Sequence, residues 1–193
     1  MINFNIKTEN SSEHWKYFKA QDQNVLDLGC GRWRVKDEKE FSFIYFLSNR
    51  ANKVIGIDKD INEINFFKQK YTNIDNLSFQ CVDISDSQQI KDLINTNDIT
   101  ALKSDIEGYE LLIAENFNSK DFININEMAI EYHSLKIKNK FIERIQEWGF
   151  TLKAYGQLKI KNYGVLFMDK TSQNASTFSE PPTIFENPPK NKY

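Results

Sequence analysis

The stretch Val25-Leu26-Asp27-Leu28-Gly29-Cys30-Gly31 constrains this chain more than any other. An apolar run that ends in glycine reads as a buried strand forced into a sharp turn. Two glycines one residue apart remove the Cβ atoms that would hold the backbone away from a ligand. The rest of the sequence bears on which ligand that is.

The pattern of strand followed by helix recurs along the chain. Residues 54–58 form a second apolar strand ending in an acid, 77–84 a third with Asp83 near its end, 99–105 a fourth and 128–133 a fifth. Helical spacing separates them. Phe41, Ile44, Tyr45 and Leu47 follow an Asp37–Glu40 capping pair, and Ile61, Ile64, Phe67 and Lys68 fit a helix to about Tyr71. Residues 88–95, 107–116 and the amphipathic 137–148 complete the helices. Two final strands, 151–158 and 164–169, have no helix between them and share a turn near Lys161-Asn162. This order predicts an α/β fold: seven strands in a mostly parallel sheet, helices on both faces, and a C-terminal antiparallel hairpin at one edge.

Residues 1–23 are polar apart from an aromatic cluster at Trp15, Tyr17 and Phe18, with a short helix expected to open at Ser11-Ser12-Glu13. Residues 24–169 read as one domain, and 170–193 as a mobile polar tail containing prolines. A chain of 193 residues that is 40% hydrophobic can bury one full core. Its formal charge of −2 gives no polybasic field, so nucleic acid is not favoured as a partner. No apolar run reaches the length of a membrane span, and the first residues do not read as a signal peptide. Cys30 and Cys81 match no metal spacing and read as reduced thiols of a cytoplasmic protein. Nothing here indicates an oligomeric state.

In an open parallel sheet, ligands sit at the carboxyl ends of the strands. Those ends carry Gly29 and Gly31, then Asp58, Asp83 and Asp105 in turn. An acid after the second strand is placed to bond both ribose hydroxyls of a nucleotide, and one after the third to accept from an adenine amine. A single aspartate there also suits an ordinary turn; the ordered set says more than any one member.

These residues resemble the class I S-adenosylmethionine-dependent methyltransferases. Asp27-Leu28-Gly29-Cys30-Gly31 is similar to their first motif, and the resemblance runs from about Asn24 to Asp169. It implies a Rossmann-like sheet with S-adenosylmethionine as cofactor, Asp27, Gly29 and Gly31 at its loop, Asp58 on its ribose and Asp83 at its adenine. Lys103-Ser104-Asp105-Ile106-Glu107-Gly108-Tyr109-Glu110, with Glu131-Tyr132-His133, resembles the FkbM-type family within that group. That resemblance implies O-methylation, commonly of a sugar or polyketide-type hydroxyl. The glycine loop departs from the family by continuing with Arg32, Trp33 and Arg34 where small residues are usual. The two arginines could meet a carboxylate of cofactor or acceptor, or simply face solvent beside a packed tryptophan.

Residues two apart on a strand share a face, about 7 Å apart. Lys103 therefore points with Asp105, and Glu131 with His133. A buried lysine needs a partner, so Lys103 is expected to pair with Glu131 on the neighbouring strand. Asp105 and His133 lie nearer any acceptor. His133 is expected to serve as base or to orient the acceptor, or else to be an ordinary backbone-bonded histidine. Asp105 could be base, clamp or metal ligand, and with Glu107 could hold a divalent ion, although no residue spacing demands a metal. Glu107 is otherwise expected to open a helix.

Two further classes compete. A nicotinamide dehydrogenase also needs glycines and a second-strand acid, but Arg34 stands where its third glycine belongs. A binding protein of the same fold without turnover is the other. Asn187-Pro188-Pro189-Lys190 lies in the tail with lysine in place of an aromatic, so it is not the motif of base-flipping methylating enzymes. The expected acceptor is a small molecule or glycan. His14 and Trp15 could cap the site or belong to a helix packed on the core.

Overall fold

The computed structural model describes residues 5–6, 17–31, 43–157 and 162–170. The helix expected at Ser11, the residues His14 and Trp15, the Arg32-Trp33-Arg34 loop, the Asp37–Glu40 cap and the tail beyond Lys170 lie outside them. The elements run β1 (Asn5–Ile6), β2 (Asn24–Leu28), α1 (Phe43–Ser48), β3 (Lys53–Asp58), α2 (Ile61–Lys70), β4 (Leu77–Cys81) and α3 (Ser87–Thr96). They continue with β5 (Ala101–Ser104), α4 (Glu110–Asn116), β6 (Glu127–Tyr132), α5 (Leu135–Ile145), β7 (Thr151–Gln157) and β8 (Gly164–Asp169).

The strands form one sheet in the order β1-β7-β8-β6-β5-β2-β3-β4. Strands β4, β3, β2, β5 and β6 are parallel neighbours, and β8 runs antiparallel to both β6 and β7. All seven strands read from the sequence are present. An eighth, β1, pairs parallel with β7 and falls within residues 1–23, where only a helix was expected. A two-residue strand carries too little pattern to read, yet it occupies the outer edge of β7, whose backbone groups would otherwise be unpaired. The chain goes one way from β2 through β3 to β4 and the other way through β5 to β6. The switch between β2 and β5 leaves a crevice beyond their carboxyl ends.

Alternation along the strands builds two cores. Leu26, Leu28, Ile55, Ile57, Leu102, Met128 and Ile130 face Ile90 and Ile94 of α3, Ile113 of α4, and Ile137, Phe141 and Ile145 of α5. Val25, Val54, Ala101, Ala129, Val165 and Phe167 face Phe18, Ile44 and Leu47 of α1, and Ile64 and Phe67 of α2. By the same alternation Asp27, Lys103 and Glu131 lie on this second face. The helices start where side chains can take their orphan N–H groups: Asp60 accepts from Asn62, Asp86 from Gln89, and Ser134 from Ile137. Glu127 ties the segment ahead of β2 to β6 by accepting from the backbone of Lys19 and Ala20 at 2.7 and 3.0 Å. No helix among the described residues is long and apolar enough to cross a membrane.

Phe122 is fully buried, with ring centroids 4.8 Å from Trp148 and 5.4 Å from Phe117. Replacing it with alanine removes an aromatic that three elements share, so Phe122→Ala should cost about 3–5 kcal/mol in urea unfolding. A loss under about 1 kcal/mol would show that this cluster does not hold α5 and its following turn to the sheet.

Candidate functional site

The glycine turn is dictated by its surroundings. Gly29 has φ +76°, and a Cβ on it would stand 1.8 Å from the carbonyl oxygen of Asp105, so no other residue fits. The N–H groups of Gly29 and Cys30 both donate to the Ile57 carbonyl, at 2.9 and 3.0 Å, folding the turn over the end of β3. A Cβ on Gly31 would lie 2.9 Å from Oδ2 of Asp58, so the turn runs directly against that acid. Asp58 is held from behind, its Oδ1 accepting from the Asp60 N–H at 2.9 Å.

A cleft of about 330 Å³ opens beyond these strand ends. Gly29, Gly31 and Asp58 line one side, Val82 and Ile84 another, and Asp105, Glu107 and Tyr109 the third. Asp83 is exposed and stands outside this lining, beyond the end of β4 at Cys81. Its Oδ1 accepts from the Ser85 N–H at 2.9 Å, and those bonds hold its carboxyl below the usual range.

Asp27 lies beneath the turn rather than in the cleft. It is 1% exposed and its Oδ1 is 2.7 Å from Nζ of Lys103, which is 2% exposed. Burial raises the Asp27 carboxyl despite that partner. Burial also works against the Lys103 charge, but Asp27 and Asp105 outweigh it and the net shift is upward. Lys103 Nζ also donates to the Gly29 carbonyl, at 3.4 Å. The expected Lys103–Glu131 pair is therefore replaced by Lys103–Asp27. The reason is register: Asp27 stands directly opposite Lys103, whereas Ala129 takes that place on β6, two residues short of Glu131.

Glu131 instead meets Asp105. Burial, then the neighbouring Asp105 carboxylate, push its carboxyl up to about 8. Asp105 and His133, predicted to work together, are brought together: Nε2 lies 3.9 Å from Oδ1, with the imidazole 11% and the carboxylate 8% exposed. Burial opposes the charge of His133, but its bond to Glu110 and the charges of Glu110, Glu131 and Asp105 carry it up to about 9. The surrounding carboxylates therefore favour the charged imidazole over the neutral form that a base requires. Tyr163, from the hairpin, packs edge-on against the ring at 5.1 Å between centroids.

Glu110 organises this end of the site. It is fully buried; Oε1 accepts from Ile106 N–H at 2.9 Å, and Oε2 from Gly108 N–H at 3.0 Å. Oε1 also stands 3.2 Å from His133 Nδ1. The chain from Asp105 to Tyr109 is consequently a tight turn, with positive φ at Glu107 (53°) and Gly108 (99°), and α4 begins only at Glu110. Glu107 thus does not open a helix, as expected, because Glu110 captures the N–H groups on either side of it. Its own carboxylate is 87% exposed and 3.5 Å from His133 Nε2. The sequence places Glu110 at the end of the Lys103–Glu110 motif without giving it a task of its own, since its backbone partners are not visible before the turn forms.

No family model matches the chain, and no curated protein does. Solved structures do. Fibrillarin from Aeropyrum pernix, crystallised with natively bound S-adenosyl-L-methionine, is 12% identical with a TM-score of 0.57, over 77% of this chain and 66% of that one. An rRNA methylase from Streptococcus thermophilus is 15% identical with a TM-score of 0.59, over 86% and 99%. A precorrin 8w decarboxylase from Methanobacterium thermoautotrophicum is 15% identical with a TM-score of 0.55, over 88% and 99%. The fold is that of the Rossmann-like methyltransferases, and these neighbours differ widely in what they act on.

The buried pair under the turn makes a clear prediction. Lys103→Met leaves the Asp27 carboxylate buried without its counter-charge and should destabilise the chain by about 3–5 kcal/mol. The double variant Asp27→Leu, Lys103→Met should lose less than the sum of the single changes in the same unfolding measurement. Strict additivity would mean that the two groups do not hold each other.

Proposed function

We propose that the chain is an S-adenosylmethionine-dependent O-methyltransferase of the FkbM type, acting on a hydroxyl of a small molecule or glycan. The observation that carries this reading is the order of groups around one cleft at the topological switch point. A glycine turn pressed against Asp58 stands on one side and Asp105 on the other, and His133, outside the lining, lies 3.9 Å from Asp105.

The residues suit the cofactor. Gly29 and Gly31 present bare backbone, and Asp58, in contact with that turn, would accept from the ribose hydroxyls. Val82 and Ile84 would flank the base, with Asp83 between them in sequence as the acceptor for its amine. Asp27 would act through Lys103, keeping the turn in place from below. When bound, S-adenosylmethionine supplies an electrophilic methyl on a sulfonium, which becomes a neutral thioether as the acceptor oxygen gives up its proton. Asp105, at the rim, would take that proton. His133, beside Asp105, would help to orient the acceptor and to offset the carboxylates around it.

The Lys103–Glu110 segment supports the FkbM-type reading, because each of its charged residues has a place. Lys103 holds the turn, Asp105 faces the cleft, Glu107 is at the rim and Glu110 fixes the loop. The acidic lining supports a neutral acceptor over RNA. Asp58, Asp60, Glu63, Asp105 and Glu107 border the cleft against Lys59 alone among its described lining, a field that repels phosphates. A reducing compartment such as the cytoplasm suits the two free cysteines.

Asp58→Ala should weaken binding of S-adenosylhomocysteine by about tenfold to a hundredfold in calorimetry, as a lost charge-assisted bond does. Unchanged affinity would sink the ribose assignment, and binding of NAD in its place would favour a dehydrogenase. His133→Ala should lower methyl transfer from labelled cofactor into a pool of hydroxylated small molecules and glycans, while cofactor affinity stays put. Full turnover in that variant would make His133 structural. Label entering RNA instead of those pools would overturn the acceptor class.

A further inference from the structure

Asp105, Glu131 and His133 each offer one ligand atom, and these atoms lie within 4.8 Å of one another. Asp105 comes from the turn after β5; Glu131 and His133 come from the end of β6. Sequence spacing suggested only Asp105 with Glu107. Glu107 is largely exposed, and the fold puts Glu131 and His133 beside Asp105 instead.

Three features of this cluster are those of a cation site. First, Nδ1 of the imidazole lies 3.2 Å from the fully buried Glu110, an ion-pair approach without an aligned hydrogen bond, and Nε2 lies toward Asp105. A carboxylate behind the imidazole is the arrangement found at metal-ligating histidines. Second, the 3.9 Å between Nε2 and Asp105 Oδ1 is too long for a hydrogen bond. A tetrahedral ion that held both atoms at about 2.0–2.2 Å would draw them to about 3.3–3.6 Å, a closure of a few tenths of an ångström. Third, Oε2 of Glu131 is buried with no hydrogen-bond partner, in a residue only 9% exposed. Four carboxylates, those of Asp105, Glu107, Glu110 and Glu131, surround one imidazole, while the nearby Lys103 already pairs with Asp27.

We propose that Asp105, Glu131 and His133 bind one divalent first-row transition-metal ion, with Glu110 holding the imidazole in place. One nitrogen and two carboxylate oxygens suit Mn²⁺, Fe²⁺ or Zn²⁺ better than Mg²⁺ or Ca²⁺, which prefer oxygen throughout. Three protein ligands leave coordination positions open. Asp105 borders the cleft, so an acceptor hydroxyl entering there can take one of them and lose its proton more readily. This role for the ion rests on the proposed methyl transfer; the ion site itself does not.

The test uses the full chain and Mn²⁺ as probe. Calorimetry and electron paramagnetic resonance should show one Mn²⁺ per chain, with nitrogen modulation from a single histidine in the spin-echo signal. His133→Ala should abolish that modulation, and Glu131→Gln should weaken binding by about a hundredfold or more; Glu110→Gln should weaken it about 10–100-fold. Asp58→Ala should leave Mn²⁺ binding intact. No stoichiometric Mn²⁺, or Mn²⁺ held equally by Glu131→Gln and His133→Ala, would overturn the site, and melting curves identify any variant that fails to fold. S-adenosylhomocysteine binding, measured with a chelator present, separates the two ideas. A chain that binds S-adenosylhomocysteine but holds no Mn²⁺ refutes only the ion site, and one that holds Mn²⁺ but binds no S-adenosylhomocysteine refutes only the methyltransferase reading.

Discussion

One ammonium group connects the two halves of the cleft. Nζ of Lys103 sits 2.7 Å from Asp27 and 3.4 Å from the carbonyl of Gly29, so β5 is fastened to β2 at the point where β2 breaks into its glycine turn. The two residues beyond Lys103 on its own strand lead to Asp105, whose carbonyl fills the space that a side chain on Gly29 would need. The turn and Asp105 therefore hold a fixed relation. The buried charge has little to offer as raw stability, because desolvation offsets much of its attraction. Its contribution is to specify one arrangement of the switch point.

From that pair a line of polar groups runs along one face of the sheet toward its carboxyl edge: Asp27 and Lys103, then Asp105 and Glu131, then His133. The face has room for it, since Gly56 stands opposite Asp27 and Ala129 opposite Lys103. Glu110 closes the far end by taking two backbone N–H groups of the turn and facing the imidazole. The division of labour follows from depth. The groups at the sheet's floor neutralise one another, and those at its rim retain an excess of negative charge facing the cleft.

Most of this architecture could be read from residue order, because each element carries its own period and its own stop. Asp60, Asp86 and Ser134 cap helices that begin within two residues of where the spacing puts them. The two-residue β1 had no period to read. Register was the weaker point: parity put Lys103, Asp105, Glu131 and His133 on shared faces, but which residue stands opposite Lys103 depends on the offset between strands. Glu110 was hidden for a related reason, because its bonds go to backbone groups that exist only once the turn at Glu107 and Gly108 has formed. Asp83 carries a local task as well, its Oδ1 accepting from the Ser85 N–H outside the cleft's lining, while Val82 and Ile84 on either side of it line the cleft.

The central claim is that the turn, Asp58 and the Asp105–His133 edge form one cofactor-and-acceptor cleft. A crystal structure of the chain with S-adenosylhomocysteine tests it most directly. The account predicts ribose hydroxyls on Asp58, the base between Val82 and Ile84, and the sulfur on the side facing Asp105 and His133. A ligand bound elsewhere on the chain, or a cleft still empty at saturating ligand, would contradict it.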